Sequence, residues 1–217
     1  MDNLDFSVIY DFSGLLVEGL IATLQLTLIC TVVSVILGIV VAVCRVYTPR
    51  PLSLIATVYT EVFRNIPPLV QLFFWYFASN LSVFEASVVG LSIFNSAYIA
   101  EAVRSGINSI PKTQTEAARS SGLTALQTIL RIIIPQTLLR ITPMLSNQFV
   151  GIIKDTSVAM TIGYAELTFQ TQMIETITFR GFEAAVVVTI LYVGLASLAI
   201  FSVHTIERIT KASVRRN

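Results

Sequence analysis

Charged positions are missing from long stretches of this chain, and the gaps have membrane length. No residue is charged over 19–44, over 65–84 or over 184–206. About 20 residues of helix, rising about 1.5 Å each, cross a hydrocarbon core of about 30 Å. Each run therefore predicts a transmembrane helix. Two shorter runs, 86–100 and 141–153, reach that length only if they take in polar residues that face a protein interior. The pattern predicts an all-α polytopic membrane protein, a single transmembrane domain over 1–217. Its five spans lie near 19–45, 53–80, 84–104, 133–160 and 184–207.

Composition agrees. Only 12 % of the residues are charged and 54 % are hydrophobic, against about 25 % charged in soluble domains. Mean hydropathy is +0.78. A net charge of +1 gives no basic surface for nucleic acid. The acidic start MDNLDF has no basic n-region, so the first apolar run is expected to stay in the mature protein. Cys30 and Cys44 fall in one apolar run without metal or redox spacing and read as core residues. The lone His204, near the end of the fifth span, reads as an interfacial side chain. Phe73, Phe74, Trp75 and Tyr76 read as packing groups.

Charge asymmetry sets the expected orientation. Arg45 and Arg50 follow the first span. Arg104, Lys112, Arg119, Arg131 and Arg140 cluster around the segment between the third and fourth. Arg208, Lys211, Arg215 and Arg216 follow the fifth. The other side carries only Arg180 among cations, and holds Asp2, Asp5, Asp11, Glu18, Glu85, Glu166, Glu175 and Glu183. The N-terminus is expected outside and the C-terminus in the cytoplasm.

That orientation puts the most polar segment, KTQTEAARSSGLTALQTILRIIIPQ from Lys112 to Gln136, in the cytoplasm. Thr113 and Glu116 have capping-box spacing, as do Thr124 and Gln127. Gly122 suits a left-handed helix end, and Pro135 is expected to break or kink the chain beyond it. A short helix over 113–122, a glycine turn and a helix re-entering the membrane are predicted. So small a helix needs a partner to pack against. A DNA-reading helix-turn-helix is disfavoured, because Arg119 is the only cation from Thr113 to Leu130 and phosphate binding needs several. A structured loop without a partner stays open.

Here the sequence resembles a family. Glu116-Ala117-Ala118, then Gly122, then Ile134-Pro135-Gln136 is similar to the EAA loop of ATP-binding cassette importer permeases. The run from Tyr59 to Gln71, YTEVFRNIPPLVQ, resembles the second-span motif of the polar amino acid permeases, the histidine, glutamate, glutamine and arginine type. So do Asn95-Ser-Ala-Tyr98, Glu101 with Arg104, Asn147-Gln148 and Lys154-Asp-Thr-Ser157. Asn65-Ile66 and Pro68 stand where the family carries Gly-Thr and Leu, and Thr113 where it carries Gly. The resemblance covers nearly the whole chain from about residue 18.

The resemblance implies a permease subunit in a bacterial cytoplasmic (inner) membrane that is not itself an enzyme. No phosphate-cradling G-x-x-x-x-G-K-[ST] occurs. ATP and Mg²⁺ would sit on a partner, a cytoplasmic ATP-binding cassette ATPase dimer, and this chain would bind no cofactor. The coupling helix would dock in a groove of that ATPase through Glu116, Ala117, Ala118 and Gly122. A second permease chain, identical or homologous, and an extracytoplasmic amino acid binding protein are the other expected partners, besides lipid and the substrate. Transport would run by alternating access.

Charges inside the spans are the candidate substrate pathway. An ionisable residue at bilayer depth costs about 2.5–3.5 kcal/mol, so it faces the interior. Glu61 and Arg64 stand three apart on one helical face, just before Pro67-Pro68. Asn95 lies halfway along the third span. Lys154 and Asp155 follow Arg140 by roughly 21 Å of helix. A zwitterionic amino acid wants a cation at its carboxylate, from Arg64 or Lys154, and an anion at its ammonium, from Glu61 or Asp155. Asn95 adds an amide, and broken helices near the midplane are where transporters put such sites. The competing reading is that Glu61–Arg64 and Lys154–Asp155 only pair with each other. Glutamate, aspartate or glutamine is the expected substrate. A membrane scaffold recruiting a cytoplasmic partner and an ion-coupled secondary transporter are the rival functions.

Overall fold

A computed structural model describes residues 4–214. Asp2, Arg215 and Arg216 lie outside the described residues, as do the side chains of His204, Arg208 and Lys211. The described chain is all-helical. After a short α1 (Ser7–Asp11) come α2 (Ser13–Tyr47), α3 (Arg50–Asn65), α4 (Pro68–Ala78) and α5 (Val83–Asn108). Then follow α6 (Lys112–Ser120), α7 (Ala125–Thr128), a π-helical turn (Ile129–Ile133) and α8 (Ile134–Asp155). A 3₁₀ helix (Thr156–Ile162), α9 (Leu167–Thr178) and α10 (Gly181–Val214) complete the order.

Among the described residues, four helices are long and apolar enough to cross a membrane: Ser13–Tyr47, Val83–Asn108, Ala125–Ile162 and Gly181–Val203. The remaining expected span, near 53–80, is two helices of 16 and 11 residues. The cause is local. A residue before proline is pushed out of the α region, and Ile66 is extended, with φ −92° and ψ 127°. Pro67 and Pro68 then cap and open α4. The interruption strands carbonyls, and the amide of Gln71 repairs this by donating to Phe63 O at 2.8 Å and Ile66 O at 3.0 Å.

The centre of the bundle is the crossing of α2 and α5. Helices in lipid gain nothing from hydrophobicity between them, so they associate through small residues that let backbones approach. Cys30, Ser34 and Gly38 form such a stripe on α2. Ser34 Oγ donates to Ser92 O at 3.1 Å and Cys30 Sγ reaches Val88 O at 3.9 Å. A Cβ on Gly38 would stand 2.7 Å from Ile99 Cγ2 and 3.0 Å from Ser96 O, so only glycine fits.

Three buried clusters fill the bundle. One joins α2, α3, α5, the π turn and α8 around Ala42, Ala56, Val103 and Ile133. The second joins α2, α4, α5 and the 3₁₀ helix around Leu26, Cys30, Leu72 and Ile162, with Phe73, Trp75 and Tyr76 packed on it. The third joins α1, α2, α9 and α10 around Leu16, Leu167, Ile174 and Val188. Leu28, Ile36, Ile190, Leu198 and Phe201 are exposed. In water such a girdle would be a liability; around spans of this length it meets hydrocarbon. Phe74 points outward with it.

Candidate functional site

The expected site residues come together in two regions. The first is the hairpin. α6 starts at Lys112 with Pro111 as its N-cap, and no side chain caps it. The expected Thr113–Glu116 capping box is therefore not formed. Proline fixes φ for a helix entry and starts the helix before Thr113 reaches the cap position. The helix also ends at Ser120, short of the expected 122. Its exit is a Schellman pair: Gly122 N donates to Arg119 O at 3.0 Å and Leu123 N to Ala118 O at 3.2 Å. Gly122 has φ +84°, a conformation that costs a side chain roughly 1–2 kcal/mol. The second capping box is present, with Gln127 N donating to Thr124 Oγ1 at 3.2 Å and Thr124 N to Gln127 Oε1 at 2.9 Å.

Glu116, Ala117 and Gly122 are exposed, and Ala118 is buried against the re-entering chain. The free face of α6 thus carries Glu116 and Ala117, while Ala118 anchors it. A cavity of about 360 Å³ separates α6 from Tyr47 and Asn108. Arg140 ties the start of α8 back to α5 by donating to Ser109 O at 2.7 Å.

The second region is a polar strip inside the spans. Gln148 Nε2 donates to Asn95 Oδ1 at 2.6 Å, and Asn95 Nδ2 donates to Asp155 Oδ2 at 3.2 Å. Asn95 is fully buried. Its second amide hydrogen goes to Leu91 O at 3.0 Å, so the group is used up and its orientation fixed. Gln148 also lines a cavity of about 150 Å³ with Arg64, Tyr98 and Glu101. Arg64 lies over the Tyr98 ring, 5.3 Å from its centroid, and Tyr98 Oη donates to Arg64 O at 3.1 Å. Arg64 Nε is buried with no hydrogen-bond partner.

Neither of the short-range pairs expected as the competing arrangement forms. Glu61 lies 3.5 Å from Arg45 instead of pairing with Arg64. Arg45 also meets Glu101 at 2.6 Å, and Glu101 holds Arg104 at 2.5 Å. Sequence spacing points only to the last of these. Lys154 and Asp155 point apart: Asp155 joins the Asn95 chain, while Lys154 lines a separate cavity of about 320 Å³ with Ser157, Thr168, Thr171, Thr189 and Tyr192.

One group escapes a reading of the sequence. By position Glu166 ranks among the outer acidic residues, yet it is fully buried. It lies between the 3₁₀ helix and α9, outside the neighbouring spans. Burial raises its carboxyl pKa above the ordinary value, against hydrogen bonds from Thr168, Tyr192 and Phe169 that lower it. The signal available is its place just before the amphipathic stretch Leu167–Thr178, where an acceptor caps the helix.

A described family matches this arrangement. Residues 34–215 match the model of the binding-protein-dependent transport system inner membrane component. The chain is 35 % identical over 210 residues to the probable glutamine ABC transporter permease protein GlnM of Bacillus subtilis, covering 94 % of this chain and 97 % of that one. It is 34 % identical to the probable amino-acid ABC transporter permease protein PatM of Vibrio harveyi, covering 97 % and 99 %. Among solved structures, that of an amino acid ABC transporter with histidines aligns with a TM-score of 0.84 at 34 % identity, over 95 % of this chain and 99 % of that one. An inward-facing MetNI methionine ABC transporter shares the fold, with a TM-score of 0.79 at 21 % identity, over 90 % and 96 %. The chain belongs to the inner-membrane components of binding-protein-dependent transport systems, among the permeases of amino acid ATP-binding cassette transporters. It is a multi-pass inner-membrane protein.

Proposed function

We propose that this chain is the translocating subunit of an importer for polar amino acids of the glutamine, glutamate or aspartate kind, working by alternating access driven by a partner ATPase. The observation that carries the reading is the hydrogen-bonded chain Gln148–Asn95–Asp155, buried at Asn95 and half-buried at its two ends, beside Arg64. An apolar bundle gains nothing from such groups unless they meet something polar that passes. Asp155 offers an acceptor for an ammonium, Arg64 an unsatisfied donor for a carboxylate. Lys154 and Glu61 flank this strip as further charges along the path. Relatives named for glutamine and arginine support an amino acid as cargo.

Coupling is assigned to α6. Its exposed Glu116 and Ala117, its buried Ala118 and the fixed turn at Gly122 make a short rigid body suited to a groove on a cytoplasmic ATPase dimer. ATP and Mg²⁺ belong to that partner. A second permease chain and an extracytoplasmic binding protein complete the assembly. In this reading the N-terminus is outside and the C-terminus cytoplasmic, following the basic residues.

Affinity purification of the chain from its native membrane in mild detergent tests the assembly. An ATPase subunit is expected in the wild-type eluate and not with Glu116→Lys. Uptake of L-glutamine is expected to survive collapse of the proton and sodium gradients and to stop when ATP is depleted. Uptake that follows the ion gradients would overturn the ATPase-driven reading.

A further inference from the structure

Pro67 and Pro68 leave two backbone carbonyls of α3 without their helical donors. In an unbroken α-helix the amide of residue 67 would serve Phe63 O and that of residue 68 would serve Arg64 O, but proline has no N–H. A backbone carbonyl shut off from water needs another donor. Side chains from two other helices fill both places. Gln71 of α4 donates through Nε2 to Phe63 O at 2.8 Å, and Tyr98 of α5 donates through Oη to Arg64 O at 3.1 Å. The second Nε2 hydrogen of Gln71 goes to Ile66 O at 3.0 Å. Gln71 is only 3 % exposed, and its Oε1 is buried without a hydrogen-bond partner. The side chain therefore acts on this end of α3 as a donor alone.

The carbonyls so held bracket Arg64, and its head group is held as well. The guanidinium lies over the Tyr98 ring, 5.3 Å from its centroid. Phe94 fixes that ring from the side in a T-shaped contact, with centroids 5.1 Å apart. Tyr98 thus secures one arginine twice, its backbone by the hydroxyl and its head group by the ring. Stacking on an aromatic occupies the face of a guanidinium and leaves its in-plane N–H groups free, and these match a carboxylate in pairs. Arg64 shares the cavity of about 150 Å³ with Gln148 and Tyr98, and its Nε has no hydrogen-bond partner.

We propose that Gln71 and Tyr98 are positioning residues for substrate recognition: standing in for the two amides that proline lacks, they aim the edge of the Arg64 guanidinium at the α-carboxylate of the amino acid in this cavity. The inference rests on the reading of Arg64 as the donor to that carboxylate. An arginine side chain has many rotamers, and holding it in place beforehand removes an ordering cost from binding.

The test compares two probes that differ only at the α-carboxyl, L-glutamine and L-glutaminamide, in which a neutral amide replaces the carboxylate. Each competes with radiolabelled L-glutamine for the assembled transporter, purified with its ATPase and second permease chain in mild detergent and free of the binding protein. The wild type is expected to prefer L-glutamine by about tenfold or more, and Arg64→Ala to lose that preference. Tyr98→Phe keeps the ring and its contact with Phe94; Gln71→Leu removes the donor and keeps an apolar side chain. Each is expected to weaken L-glutamine several-fold and to leave L-glutaminamide unchanged. Tyr98→Phe carries the test by itself if Gln71→Leu does not assemble. A merely structural role would weaken both probes alike, and that result in Tyr98→Phe overturns the positioning. Full preference in Tyr98→Phe and Gln71→Leu, with preference lost in Arg64→Ala, overturns the positioning and leaves Arg64 as the carboxylate's donor. Preference retained in Arg64→Ala overturns that reading of Arg64, and the positioning with it.

Discussion

Arg45 on α2 meets Glu101 on α5 at 2.6 Å, and the same guanidinium lies 3.5 Å from Glu61 on α3. One cation therefore joins three helices at one end of the bundle. Glu61 is more than half exposed and Glu101 is not, so the two contacts differ in weight. Exposed ion pairs contribute about 1 kcal/mol or less. Glu61→Ala is expected to leave the melting temperature in detergent nearly unchanged, and Arg45→Ala to lower it. An equal loss in both would mean that Glu61 is held more firmly than its exposure implies. Lost uptake in Glu61→Ala at unchanged melting temperature would be the mark of a pathway residue.

Asn95 spends both amide hydrogens and its carbonyl on neighbours. Asn95→Leu leaves the half-buried Asp155 and Gln148 without that partner, at a cost of up to about 1–3 kcal/mol, the figure for a fully buried unsatisfied group. A lowered thermal midpoint with uptake abolished is the expected result. Asn95→Asp sets a carboxylate against Asp155 and should be worse than Asn95→Leu by the same measurement.

Legibility in the sequence tracks the range of the forces involved. The break before Pro67, the Thr124 cap and the turn at Gly122 are set by neighbours within a few residues, and all three are legible. The Thr113 cap fails because Pro111, two residues earlier, starts the helix first. The pairings fail for a different reason. Spacing of three between Glu61 and Arg64 brings their side chains near each other, but Arg45, from another helix, competes for Glu61 and wins. Lys154 and Asp155, adjacent in sequence, lie about 100° apart around a helix, so Asp155 joins Asn95 while Lys154 lines a cavity of its own. Glu166 is invisible as a buried group because only the fold brings Tyr192 to it.

Gly122 sits at φ +84° with open space around its α-carbon. Conformation, not room, restricts it. Gly122→Asn, which tolerates the left-handed region, is expected to keep uptake near wild type. Gly122→Val should abolish it while leaving the protein in the membrane at normal amounts, because a β-branched side chain there costs roughly 1–2 kcal/mol and unseats the end of α6. Equal uptake in the two variants would show that the turn's shape is unimportant.

Burial raises the Glu166 carboxyl pKa above its ordinary 4.5, so the folded protein holds that proton more tightly than the unfolded chain. This group's contribution to stability is full below about 4.5 and is lost as pH rises through the higher folded value. Glu166→Gln carries no such proton. The difference in melting temperature between wild type and Glu166→Gln is expected to move in favour of the wild type as pH falls from about 7 to about 5. A difference that does not change over that interval would show that the carboxyl does not titrate in it.

The π-helical turn at Ile129–Ile133 carries one residue more than an α-helical path would need. Each residue turns an α-helix by about 100°. Deleting one residue from that turn would restore an unbroken helix from Ala125 onward and leave every side chain from α8 on where it is. It would also swing α6 and α7 by about 100° around the axis of α8. The turn is in this sense an azimuth setting: a single surplus residue decides the compass bearing of the hairpin relative to the wall that bears Gln148 and Asp155.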